Sequence, residues 1–79
     1  MEELSLYYSP TCPFCIKVLR FIQQNGIVID LKSTMEPVNL RTLLMVGKKN
    51  QVPCLFIDEK ALYESDDIIS YLAARFQIT

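Results

Sequence analysis

Three cysteines carry the nucleophilic chemistry of this chain, and Cys12 and Cys15 stand three residues apart with Pro13 and Phe14 between them. On a helix of ~3.6 residues per turn that spacing puts both on one side, near enough to bridge. Such a couple can pass between dithiol and disulfide. Cys12 is predicted at or beside a helix N-cap, where unpaired backbone amides and the helix dipole favour an anion. That environment draws a thiol below its free value of about 8.5 and supplies thiolate at neutral pH. Cys15, one turn further in, is expected to be more buried and less acidic. The pattern therefore predicts Cys12 as attacking nucleophile and Cys15 as resolving thiol. Pro13 suits the first helical position, since its fixed φ fits the helix and its missing N–H is not needed there. Chance proximity and half of a metal site are the competing readings, but Cys-x-x-Cys beside a βαβ pattern is foremost a redox signature.

The elements that must position this couple follow from the pattern of apolar residues. Leu4 to Tyr8 reads as a strand that Ser9-Pro10-Thr11 breaks. From Pro13 to about Gln24, Phe14, Cys15, Val18, Leu19 and Ile22 recur at helical spacing, and Asn25-Gly26 ends the helix. Ile27 to Leu31 reads as a second strand, buried and parallel to the first. Pro37 opens a second helix that runs through Val46 and closes at Gly47. After the polar loop Lys48-Lys49-Asn50-Gln51, Cys54 to Ile57 is the third strand. Asp58-Glu59-Lys60 turns the chain into a brief fourth strand, Ala61 to Tyr63. Ser65 is predicted to cap the last helix, with Asp66 and Asp67 at its positive end and Ile68, Ile69, Leu72 and Phe76 on its apolar face. The order is β-α-β-α-β-β-α, with no repeat, low-complexity stretch or linker, so residues 1–79 are expected to form a single domain.

Composition narrows the function further. Three cysteines without any histidine cannot complete a disulfide framework or a Cys/His zinc site, so no metal is predicted. Eight basic against nine acidic residues leave no broad field for nucleic acid or an anionic membrane, and neither is expected as a partner. Met1-Glu2-Glu3 lacks the basic start of a secretion signal, and no apolar run approaches the ~20 residues of a membrane span. A cytoplasmic, reducing location is expected, where paired cysteines are more often catalytic than structural.

With these elements in place, the chain resembles a glutaredoxin. The resemblance rests on three separated motifs in order: Thr11-Cys12-Pro13-Phe14-Cys15 after the first strand, Val52-Pro53 before the third, and Glu64-Ser65-Asp66-Asp67 before the last helix. It implies a thioredoxin-like α/β fold with a four-stranded mixed sheet flanked by helices. It implies a glutathione-dependent thiol:disulfide oxidoreductase that reduces protein disulfides and protein-glutathione mixed disulfides, with glutathione as co-substrate and no tightly bound cofactor. By the same resemblance Pro53 is a cis-proline beside the cysteines, and Val52 offers its N–H and C=O to glutathione as an added strand would. Glu64-Ser65 is more similar to the Glu-Ser signature of glutathione transferase N-terminal domains than to the Gly-Gly-Cys-Asp of many glutaredoxins. Ser65 and the helix-start amides would then hold the γ-glutamyl carboxylate, with Asp66 on its amino group. Lys48, Lys49 or Gln51 would meet the glycyl carboxylate, unless all three are simply a solvated loop.

Ser9, Gln51 and Phe14 depart from the commoner lysine, threonine and tyrosine of the family, which bears on thiolate acidity and glutathione affinity. Cys54 is expected to be a buried, inert thiol, and Tyr7 and Tyr8 to be strand packing. The expected partners are glutathione and disulfide-bearing or glutathionylated proteins, met by a monomer. Three other functions compete: a thioredoxin-like electron donor reduced by a flavoprotein, a glutathione-ligated iron-sulfur module, and a transferase-type N-terminal domain without its helical partner. Pro13 and the second motif cysteine argue against the iron-sulfur module, whose representatives usually carry Cys-Gly-Phe-Ser. Against the transferase domain stands the end of the chain at Thr79, just after the last helix.

Overall fold

The computed structural model describes residues 2–78; Met1 and Thr79 lie outside the described residues. Strand β1 (Leu4–Tyr8) leads to helix α1 (Pro13–Gln24), strand β2 (Asp30–Ser33), helix α2 (Pro37–Thr42) and a π-helical turn over Leu43–Gly47. Strands β3 (Cys54–Ile57) and β4 (Lys60–Leu62) and helix α3 (Ser65–Arg75) complete the order. The strands form one mixed sheet in the order β2-β1-β3-β4, with β2 parallel to β1 and the other pairs antiparallel. This is the thioredoxin-like α/β fold that the sequence predicts. Among the described residues no helix is long and apolar enough to cross a membrane.

Successive strand residues point to opposite faces, and the two central strands use both. Leu6 of β1 and Leu55 of β3, paired across the ladder, pack with Val18 and Ile22 of α1 and Ile68 and Leu72 of α3. Burying each such side chain contributes about 1.5–3 kcal/mol. On the opposite face Tyr7, Cys54 and Phe56 pack with Leu43 and, at the margin, Tyr63. The Tyr7 and Phe56 rings meet edge to face with centroids 5.0 Å apart, a preferred aromatic geometry. One face thus lies under two long helices, and the other under a short helix and its turn.

Three sequence-based bounds are corrected. The second strand starts at Asp30 rather than Ile27, and as an edge strand it is half exposed rather than buried. Ile27 instead seals the end of α1, its N–H bonded to the Ile22 carbonyl, and Val28 is 90% exposed. The second helix keeps α-geometry only to Thr42, then widens into the π-helical turn. β4 takes in Lys60 and ends at Leu62, leaving Tyr63 outside the strand.

Candidate active site

The loop after β1 delivers Cys12 to the N-cap of α1, where its backbone is extended and Pro13 opens the first turn. No side chain caps this helix start, which leaves the first-turn amides directed at the Cys12 sulfur. Burial resists ionisation there, but hydrogen bonds from the Cys15 amide and thiol and from the Phe14 amide outweigh it, and the Cys12 pKa lies below the ordinary 9.0. Cys15 is fully buried. Desolvation, assisted by the hydrogen bond and the charge of Cys12 and opposed by the Ser9 amide, pushes its pKa up to about 12. The Ser9 N–H donates to Cys15 Sγ at 3.4 Å. The two sulfurs are hydrogen-bond partners with opposite acidities, the order that the helix-start argument predicts. Ser9, where lysine is commoner, serves through its backbone amide, a role that does not depend on its side chain.

Opposite Cys12 runs the loop that enters β3. The Val52-Pro53 peptide bond is cis, and the Val52 carbonyl lies 4.0 Å from Cys12 Sγ. Phe14, Gln51, Val52, Pro53, Glu64, Ser65 and Asp66 line a cleft of about 280 Å³. The sequence-predicted residues Gln51, Val52, Pro53, Glu64, Ser65 and Asp66 therefore share one wall system beside the cysteine couple. Phe14 is 63% exposed on its rim. Gln51 Nε2 donates to Glu64 Oε1 at 3.4 Å and ties the two walls together.

At the far wall the N-cap of α3 is Glu64, not Ser65, and it makes no side-chain capping bond. Ser65 is the first helical residue and is buried against the cleft. Glu64 has φ of +71°, a conformation costly for a non-glycine residue and concentrated at functional sites. It turns the chain into α3 beside the cleft, which Ser65 and Asp66 line. Asp66 and Asp67 sit in the first turn, as predicted. The Asp66 carboxylate forms an exposed ion pair with Lys17 of α1, which crosses between the two helices. Lys49 does not line the cleft: its Nζ lies 4.2 Å from the centre of the Tyr63 ring. Lys48 adopts left-handed backbone geometry at the close of the π-helical turn.

Cys54 is the third thiol, fully buried on the second face of the sheet. Desolvation raises its pKa to about 11 against the lowering effects of the Tyr63 hydroxyl and Lys49. It is a packed, protonated side chain, as expected. Sequence reasoning missed the roles of Lys17, which carried no assignment, and of Tyr63, read as the end of a strand. Both act across long sequence separations. The signal for Tyr63 was its place directly before Glu64-Ser65.

Sheet order and helix placement are together those of thioredoxin-like proteins. A crystal structure of a mutant thioredoxin-like protein superposes with a TM-score of 0.79 at 21% identity, covering 100% of both chains. Human glutathione transferase theta-2, solved in complex with glutathione, superposes with a TM-score of 0.82 at 23% identity over 96% of this chain and 32% of that one. The chain belongs to the glutathione S-transferase N-terminal domain family, whose model matches residues 6–78. Among curated proteins it is 28% identical over 72 residues to the hybrid peroxiredoxin hyPrx5 of Haemophilus influenzae, covering 91% of this chain and 30% of that protein. The chain thus spans about a third of the length of that relative and of the transferase.

Proposed function

We propose that this chain is a glutathione-dependent thiol:disulfide oxidoreductase of glutaredoxin type, working in the cytoplasm as a single domain. The observation that carries the reading is a Cys12 thiol made more acidic at an uncapped helix start, beside a second, buried and only weakly acidic thiol, and facing the carbonyl of Val52. On a glutathionylated protein, the Cys12 thiolate attacks the glutathione sulfur. A new S–S bond joins Cys12 to glutathione, and the protein leaves as a thiolate that takes a proton. A second glutathione thiolate then attacks the bound glutathione sulfur, forming glutathione disulfide and returning the Cys12 thiolate. On a protein disulfide, Cys12 first forms a mixed disulfide with the substrate. Cys15 then attacks Cys12 Sγ, its proton passing to the departing substrate thiolate, and two glutathiones reduce the resulting Cys12–Cys15 bond.

The acidities support this division of labour. Burial, helped by the charge of an anionic Cys12, holds the proton on Cys15. Once Cys12 is bonded to substrate, that charge is gone and Cys15 becomes more acidic at the step that needs it. Glutathione fits the cleft by its chemistry. The Val52 backbone pairs with the cysteinyl unit, Ser65 and the α3 amides with the γ-glutamyl carboxylate, and Gln51 lies on the glycyl side. Asp66 meets the amino group by exchanging Lys17 for it, a surface ion pair worth about 0–1 kcal/mol.

The test is turnover of a glutathionylated peptide with glutathione and glutathione reductase. Sustained turnover is expected. Reduction by thioredoxin reductase alone, with none by glutathione, would transfer the protein to the thioredoxin-like electron donors.

A further inference from the structure

We infer that Tyr63 is the positioning residue of the cleft, a single side chain that sets the distance between its two walls. Its phenolic O–H donates to the Gly47 carbonyl at 3.0 Å, fixing the end of the π-helical turn from which the loop 48–51 departs. Left without that donor, the carbonyl would be one of the orphan acceptors at a helix end. The fit is close: a methyl group added at Gly47 would lie 2.7 Å from the same oxygen. Lys49, two residues on, rests over the ring, a cation–π contact that turns the loop's ammonium away from the cleft. On its buried side Tyr63 packs against the cluster that holds Cys54, at the start of β3.

The next residue is Glu64, whose positive φ starts the far wall, and whose carboxylate receives the Gln51 amide from the near wall. Tyr63 thus anchors the loop carrying Gln51 and Val52 on the same short segment that carries Glu64 and Ser65. Tyr63 itself does not touch Cys12, and its loop meets that sulfur only through the Val52 carbonyl, 4.0 Å away, so Tyr63 governs how well a ligand spans the walls more than it governs the sulfur chemistry. The inference rests on the proposal that glutathione occupies the cleft, and it adds which residue sets affinity for it.

Tyr63→Phe removes the hydroxyl and keeps the ring, the Lys49 contact and the packing. Measured with a glutathionylated peptide, its KM for glutathione should rise about three- to tenfold, the scale of one lost hydrogen bond at a binding edge. kcat should stay within about twofold, because no group that touches the reacting sulfurs has changed. Amide hydrogen exchange should quicken at 48–52 and hold at Leu55 and Phe56. Gly47→Ala, pressing on the Tyr63 phenolic oxygen, should shift KM and the loop's exchange in the same direction. An unchanged KM with unchanged loop exchange in Tyr63→Phe would overturn the inference. So would a parallel fall in kcat with exchange accelerated throughout the sheet. If the wild-type protein does not turn over glutathione at all, the proposed function fails, and the exchange comparison still decides whether Tyr63 holds the loop.

Discussion

The start of α1 and the buried pocket around Cys54 each hold a thiol among polar neighbours, yet they drive acidity in opposite directions. At Cys12 the neighbours are backbone amides at an uncapped helix end, and they overcome desolvation. At Cys54 a tyrosine hydroxyl and a lysine also favour the thiolate, but full burial in the sheet outweighs them. Polar company is therefore insufficient to make a sulfur reactive. What separates the two is a fixed set of N–H donors aimed at one atom that solvent can still reach.

The comparison breaks most sharply by deletion. Cys12→Ser should abolish glutathione-coupled reduction by about 10³-fold or more, as loss of a nucleophile does. Cys54→Ala should keep full activity, and equal losses in the two variants would erase the distinction. Cys15→Ser is the intermediate case. It should lose turnover on protein disulfides yet keep roughly a tenth or more of the rate on glutathione mixed disulfides, where a second glutathione resolves the intermediate.

Ionisation gives a third probe, read by pH. Alkylation of Cys12 by iodoacetamide should reach half its maximal rate at a lower pH than that of an ordinary free thiol, whereas Cys54 should resist labelling until the protein unfolds. Folding lowers the Cys12 value, so that ionisation favours the folded state above the unfolded thiol's pKa and the benefit fades as pH falls through the folded value. Cys15 and Cys54 act the other way. Their folded values of about 12 and about 11 exceed 9.0, so their contribution is complete below pH 9.0 and is lost as the pH rises toward those values. The urea midpoint should accordingly fall above pH 9, and less steeply in Cys54→Ala. The smallest effect is that variant's stability at neutral pH, lower by about 1 kcal/mol for one missing heavy atom in a packed site.

Local rules made much of this legible in the sequence. The Cys12 helix start, the bounds of β1, α1 and β3, and the burial of Cys15 and Cys54 follow from spacing, proline and glycine placement and apolar periodicity. Three features escaped these rules, two of them set by contacts between distant segments. Ile27 to Leu31 has the composition of a buried strand, but pairing with β1 selects Asp30–Ser33 and leaves Ile27 to close α1. Ser65 is a good capping residue, yet the sharp turn at Glu64 moves the helix boundary back by one. The widening after Thr42 ends where a tyrosine sixteen residues away takes the Gly47 carbonyl, and nothing in the apolar pattern of that stretch announces it.

The position of β1 inside the sheet has a consequence for endurance. The two edges, β2 and β4, have four and three residues, whereas the strand that launches the sulfur couple is flanked on both sides. Loss of β4 would leave β1 paired on both sides, and loss of β2 would still leave it paired with β3. The chemistry is insulated from the parts of the molecule that open most readily.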